Sequence, residues 1–190
     1  MSDAEGKSSP DGVSGSGGRN CRITDRIYSE EKLRELVEIR KMNPLQILCG
    51  LVMGSLIKRK VITQGMVNLI CRDVGPRFVE VLQAMGYVKE TYPSGKEGLI
   101  ELIGDVCKVM GMSDIVSIQD SGNGVTVKVD TKFCRLCIKS VDEDVPRAAC
   151  IFPKIFEAMA NHIGIKCSFD PDENFVKKED GECRITFVCD

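Results

Sequence analysis

Between Ser29 and Gly111 apolar side chains recur every three or four positions, the spacing of amphipathic helices. Ser29 can cap a first helix whose opening turn carries Glu30 and Glu31 and whose stripe is Leu33, Leu36 and Val37, ending near Lys41. Asn43, Pro44 and Gln46 supply a cap, a first-turn proline and a box partner for a second helix reaching toward Lys60. Thr63 can cap a third, carrying Met66, Val67, Leu69, Ile70 and Val74, and Gly75-Pro76 is expected to bend or restart it before Phe78, Val79, Leu82 and Met85. Ser94 and Glu97 form a capping box for a fourth, with Leu99, Ile100, Leu102, Ile103, Val106 and Met110 on one face and Gly111 as its stop.

After Gly111 the period changes to two. Ile115, Val116 and Ile118 lead into the turn Asp120-Ser-Gly-Asn-Gly124, and Val125, Val127 and Val129 then share one side of a second strand, which makes a hairpin. A loop through Cys134 and Cys137 and the acidic segment Asp142 to Asp144 precedes a helix placed between Pro146 and Gly164, with Ile151, Ile155, Phe156, Met159 and Ile163 as its stripe. Ile165 to Phe169 and Cys183 to Val188 read as strands, joined through Pro171, a short extended piece at Phe175 and Val176, and a turn at Asp180-Gly181. Helices, two strands, a helix and further strands predict an α+β fold, a helical layer packed on an antiparallel sheet. Residues 1–22 hold little that could be buried and read as a disordered tail; residues 23–190 read as one domain.

Charge nearly balances, with 26 Lys plus Arg against 28 Asp plus Glu, so no global field recruits nucleic acid or an anionic membrane. Aromatic residues are 5% of the chain, which removes the stacking platforms of single-strand binders. The single histidine, His162, leaves little room for His-based triads, and its place near a helix end suits a dipole interaction or a surface hydrogen bond. The longest apolar stretch, Pro44 to Ile57, falls short of the roughly 20 residues that span a bilayer, so no transmembrane helix is expected. No secretory signal precedes the cysteines, and a cytoplasmic, reducing location is the expectation.

Ten cysteines are the one compositional excess. Cys49, Cys71 and Cys107 lie within apolar helical stripes and read as core residues. Cys134-Arg-Leu-Cys137 has the two-residue gap that lets a tight turn aim two thiolates at one tetrahedral ion. The hairpin delivers this pair to one end of the sheet, Cys150 opens the following helix, and Cys183 falls on the inward side of its strand with Ile185 and Phe187. A zinc site of Cys134, Cys137, Cys150 and Cys183 is therefore expected, with Cys167 as the reserve fourth donor. A redox pair of the thioredoxin kind lacks its βαβ context here. Asp170, Asp172 and Glu173 lack calcium-loop spacing, and no phosphate-binding glycine loop, nucleophile elbow or dinucleotide fingerprint is present.

The stretch from Cys150 through the Gly181 turn to Cys183-Arg-Ile-Thr-Phe187 resembles the closing unit of the 4-vinyl reductase domain superfamily, in which a cysteine opens a helix and a Gly turn leads into a strand that begins with Cys and carries a Phe. The run from Asn43 to Leu82 looks like the helical half of that unit, and the small subunits of the TRAPP vesicle-tethering complex are similarly organised. The likeness covers residues 30–188 and implies a binding or regulatory module without reductase chemistry. In the sensor members, cysteines that look like Cys150 and Cys183 help hold a zinc beneath a hydrophobic ligand pocket, together with a Glu and a further Cys. Here Asp172 or Glu173 offers the carboxylate, Phe175 and Val176 stand where the thiol is wanted, and Cys134 and Cys137 are the replacement.

These observations lead to a non-enzymatic, zinc-stabilised domain that binds a small apolar molecule between helices and sheet, with Met53, Met66, Met85, Met110 and Met159 as adaptable wall residues. The alternative is an assembly module that pairs with a second copy or a related subunit. Gly50, Gly54 and Ser55 on the second helix would then form the small-residue strip of a homodimer, or else an internal packing surface. An enzyme using zinc or a thiolate ranks third, because four thiolates close a metal site that catalysis needs open.

Overall fold

The computed structural model describes residues 28–111, 116–122, 124–131, 134–142, 144–145, 150–169, 176–179 and 181–190. The proposed tail at residues 1–22 and the carboxylates Asp170, Asp172 and Glu173 lie outside these. Helix α1 (Glu30–Arg34) continues as a π-helical turn over Glu35–Ile39, and α2 (Pro44–Lys58), α3 (Gln64–Ala84) and α4 (Gly95–Val109) follow. The hairpin β1 (Val116–Asp120) and β2 (Gly124–Asp130), α5 (Ile138–Val141), α6 (Phe152–His162), β3 (Cys167–Phe169), β4 (Lys177–Glu179) and β5 (Glu182–Cys189) complete the order. The fold is α+β, as the change of period implied.

Local chemistry sets the helix starts. The Lys32 N–H donates to Ser29 Oγ at 3.1 Å, and Met66 N–H to Thr63 Oγ1 at 3.3 Å. At α2 the box closes in both directions: Gln46 N–H donates to Asn43 Oδ1 and Asn43 N–H to Gln46 Oε1, each at 2.9 Å. The box read at Ser94 does not form. Ser94 is the N-cap but its side chain makes no capping bond, because Gly95 enters the first turn at φ +72. Helix α3 runs unbroken through Pro76, where a bend or restart was expected. Its packing on α6 holds it: a Cβ at Gly75 would sit 2.6 Å from the Ala158 methyl, so only glycine lets the two helices come this close.

The sheet is antiparallel in the order β1-β2-β5-β3, with β4 also paired to β5. Val125, Val127 and Val129 on β2 and Cys183, Ile185 and Phe187 on β5 all face inward and are buried, in register at Val127↔Ile185 and Val129↔Cys183. Helices α4 and α6 cover this face, and α3 packs on α6. Leu99, Leu102, Ile103, Phe152, Phe156 and Met159 fill the layer between, each contributing roughly 1.5–3 kcal/mol by its burial.

Helix α5, which the sequence showed only as loop, organises a second, smaller core. Val141 packs with Leu36, Met42, Ile47 and Leu51, while Ile138 and Val145 pack with Met53 and Ile57. Lys58 Nζ pairs with Asp142 Oδ2 at 2.6 Å, and Tyr28 O–H donates to the Val141 carbonyl at 2.8 Å. This corrects the reading of the small-residue strip as a dimer surface. A Cβ on Gly50 would lie 2.9 Å from Val141 Cγ2, and one on Gly54 3.1 Å from Val145 Cγ2, so the strip is internal, between α2 and α5. Cys49, expected in the core, is exposed on the opposite side of α2, and Met66 and Met85 lie on the outside as well. A helix that is apolar all round has stripes facing both ways, and its core side cannot be chosen from spacing alone.

Candidate metal centre

The hairpin end and the Cys134-Cys137 loop are tied together by backbone. Thr131 N–H donates to the Gly181 carbonyl at 2.9 Å, and Cys134 N–H to the Asp130 carbonyl at 3.1 Å. Cys183 stands opposite Val129, one residue from the end of β2. Cys137 is the residue before α5, and Cys150 lies just ahead of α6. Cys134 and Cys183 are buried, and Cys137 and Cys150 are half-buried.

The four thiols of Cys134, Cys137, Cys150 and Cys183 share one electrostatic environment. Burial pushes the Cys150 thiol far up, and Cys134, Cys137 and Cys183 each add to that rise; the Phe152 N–H, aimed at the Cys150 sulfur, works against it. The Cys134 thiol is pushed up to about 12 by burial and by its neighbours Cys137 and Cys183, while the N–H groups of Leu136 and Cys137 favour its charged form. Backbone amides thus already point at two of the four sulfurs, as a thiolate set requires. Cys107, buried on α4, is a fifth thiol beside Cys134, itself pushed up to about 12 by burial and then by Cys134. Cys167 is elsewhere: it pairs with Cys189 at the opposite end of β5 from Cys183.

The thiols converge without closing into a ligand shell. Among the described residues no group of three or more His, Cys, Asp or Glu side chains stands ready to hold an ion. Four sulfurs match the donor number and softness of a tetrahedral zinc set. The residues match such an ion in number and chemistry, while their arrangement in this structure does not form a ligand shell.

One supporting residue was not legible in the sequence. Arg40 is 8% exposed, the most deeply buried charged side chain among the described residues. Its Nη1 donates to the carbonyls of Thr131 (2.8 Å) and Cys134 (3.2 Å), and its Nε donates to Glu35 Oε1 at 2.7 Å. Arg135 Nε donates back to the Arg40 carbonyl at 2.9 Å. Burial alone would raise the Glu35 carboxyl, but hydrogen bonds from Lys32 and Arg40 outweigh it and hold it below the usual value of 4.5. The guanidinium fork thereby fixes the loop carrying Cys134 onto the end of the first helix.

A family model matches residues 60–189, which takes in α3 to β5 and all four cysteines of the cluster. The chain belongs to the MJ0207 family. No curated protein matches it. The MJ0207 match starts after α2, so Arg40 and the α1–α2 arm lie outside the matched region.

The remaining candidates are structural. His162 Nε2 lies 2.8 Å from Glu80 Oε1, joining α6 to α3 at the surface. Two open clefts lie on the outside of the helices. One of about 590 Å³ runs between α3 and α6, bordered by Asn68, Arg72, Lys154 and Asn161; another of about 600 Å³ lies along α1 and the π-helical turn. Neither lies between the helices and the sheet. No helix of the described residues is long and apolar enough to cross a membrane.

Proposed function

We propose that this chain is a non-enzymatic assembly module whose fold is stapled by zinc held by Cys134, Cys137, Cys150 and Cys183. The convergence of four thiols from three separate segments at one end of the sheet carries the reading. The loop they form leads directly into α5, the helix on which the α1–α2 arm docks, so a metal there would join the two cores. A closed set of four thiolates leaves no position for a substrate, which favours a structural ion over a catalytic one. The resemblance to 4-vinyl reductase domains and small tethering subunits agrees with a module that binds rather than transforms.

What the module binds is favoured by its outer surface. Leu45, Leu48 and Val52 on α2 are each at least half exposed, and Leu69, Val74 and Val81 on α3 are also outward. Helix α2 carries no charged residue before Lys58. Such a face offers no charge to a charged partner and no repulsion against its own copy, which suits isologous pairing in a homodimer. A small apolar ligand between helices and sheet is the competing reading. It is less favoured because the facing side chains Leu99, Leu102, Ile103, Phe156, Met159 and Ile185 between helices and sheet are fully buried. Native mass spectrometry of the full chain tests both parts, with one zinc per chain and a doubled mass expected. A metal-free monomer carrying a bound small molecule would overturn the proposal.

A further inference from the structure

The far end of the sheet holds two thiols that the zinc reading does not use. In the antiparallel pairing of β3 with β5, Cys167 stands directly opposite Cys189, so both side chains leave the same face. Asp190 N–H donates to the Lys166 carbonyl at 3.3 Å, which makes 166 and 190 a hydrogen-bonded pair and places Cys167 and Cys189 at the adjacent non-hydrogen-bonded position. The backbone of Cys167 agrees. Its N–H donates to Asn161 Oδ1 at 3.4 Å and its carbonyl accepts from Asn161 Nδ2 at 2.7 Å, so both groups point away from β5. Facing residues at such a position have Cα atoms about 4.5 Å apart, within the roughly 4.4–6.8 Å that a disulfide spans. Both residues are free thiols.

We propose that Cys167 and Cys189 form a peroxide-sensitive pair that closes into a reversible cross-strand disulfide. Cys189 is the attacking thiol, being half-buried where Cys167 is 8% exposed. Burial raises the Cys189 thiol, Lys96 opposes this and Asp190 and Asp120 add to it, while Cys167 is pushed up to about 12 by burial, then by Cys189, Glu157 and Asp190, with Lys154 opposing. The Cys189 thiolate attacks one peroxide oxygen; the O–O bond breaks, the second oxygen leaves with the thiol proton as an alcohol or water, and Cys189 becomes a sulfenic acid. The Cys167 sulfur then attacks the sulfenic sulfur, the S–S bond forms, the S–O bond breaks, and water leaves with the Cys167 proton. Two thiols are oxidised and one peroxide is reduced. The bond would clamp β3 to β5 and, through Asn161, fix the C-terminal end of α6.

The test uses the full chain treated with hydrogen peroxide, then alkylated under denaturing conditions and mapped by peptide mass spectrometry. The expected product is a linked pair of peptides containing Cys167 and Cys189, lighter by two hydrogens and cleaved by a dithiol reductant. Oxidised protein should melt at a higher temperature than reduced protein. Full alkylation of both residues after peroxide would overturn the proposal, as would Cys189 reaching sulfinic acid while Cys167 stays alkylated. In Cys189→Ser, Cys167 should stay reduced; oxidation of Cys167 in that variant at the wild-type rate would overturn the order of attack. The same map reports the four cysteines at the opposite end separately, so the outcome does not depend on the zinc reading.

Discussion

The two ends of strand β5 carry the same side chain in different surroundings. At one end Cys183 meets thiols from the Cys134-Cys137 loop and from the segment before α6, with backbone N–H groups turned toward two of the sulfurs and a buried arginine bracing the loop. At the other end Cys189 faces Cys167 across a single strand pairing, with polar Asn161 closing the edge. Four sulfurs in three dimensions suit a tetrahedral ion; two on one flat pairing suit only each other. The lesson is that cysteine chemistry follows from how many chain segments meet at a point, which composition cannot report.

The sharpest way to break this contrast is to remove one cysteine at each end. Cys150→Ser should abolish zinc retention and lower stability by an amount on the order of several kcal/mol, because the binding free energy of a structural zinc is also folding free energy. Cys189→Ser should leave both metal content and fold essentially unchanged. Metal analysis paired with thermal melting of the two variants checks this; equal effects would erase the distinction between the ends.

Next in size is the brace. Arg40→Ala leaves the Glu35 carboxylate with only Lys32 as donor and deprives the carbonyls of Thr131 and Cys134 of the guanidinium, and because each buried acceptor left unsatisfied costs about 1–3 kcal/mol the expected loss is about 2–4 kcal/mol. Denaturant unfolding should show the loss, and Arg40→Lys should restore only part of it because the fork is gone. Retention of full stability in Arg40→Ala would show that the loop holds itself.

Helix α2 separates an inner from an outer face. Gly54→Leu should cost about 1–3 kcal/mol by forcing α2 off Val145 and Asp142, with no change of oligomeric state. Leu48→Glu should do the reverse, yielding folded monomers with stability altered by less than about 0.5 kcal/mol. Sedimentation and melting of both variants would invert the assignment of the faces if the results were exchanged.

The smallest effect concerns pH. Glu35 has a lowered carboxyl value in the fold, so its contribution is present above the unfolded value and is lost as pH falls through the lower, folded one. Glu35→Gln should remove that increment from the acid limb of the stability curve, and an unchanged acid limb would contradict the pairing with Arg40.

Much of the fold was readable because its signals are local. The caps at Ser29, Asn43 and Thr63 and the alternation of Val125, Val127 and Val129 each depend on residues a few positions apart. The spacing of Cys134 and Cys137 is local too. Arg40 was not readable, since nothing near it announces that its partners are carbonyls more than ninety positions along the chain. Helix α5 is a single turn, too short to show a period, and without it Gly50 and Gly54 looked as suited to a partner as to the chain itself. Pro76 signals a break that packing against α6 overrides.

Alkylation of the native chain, mapped cysteine by cysteine with and without a zinc chelator, tests the metal centre most directly. Cys134, Cys137, Cys150 and Cys183 should be protected together, with one zinc per chain, and should become reactive together when the chelator removes it, while the reactivity of Cys189 stays constant. Stable, metal-free protein whose four cysteines react at the same rate with and without chelator would contradict the zinc assignment.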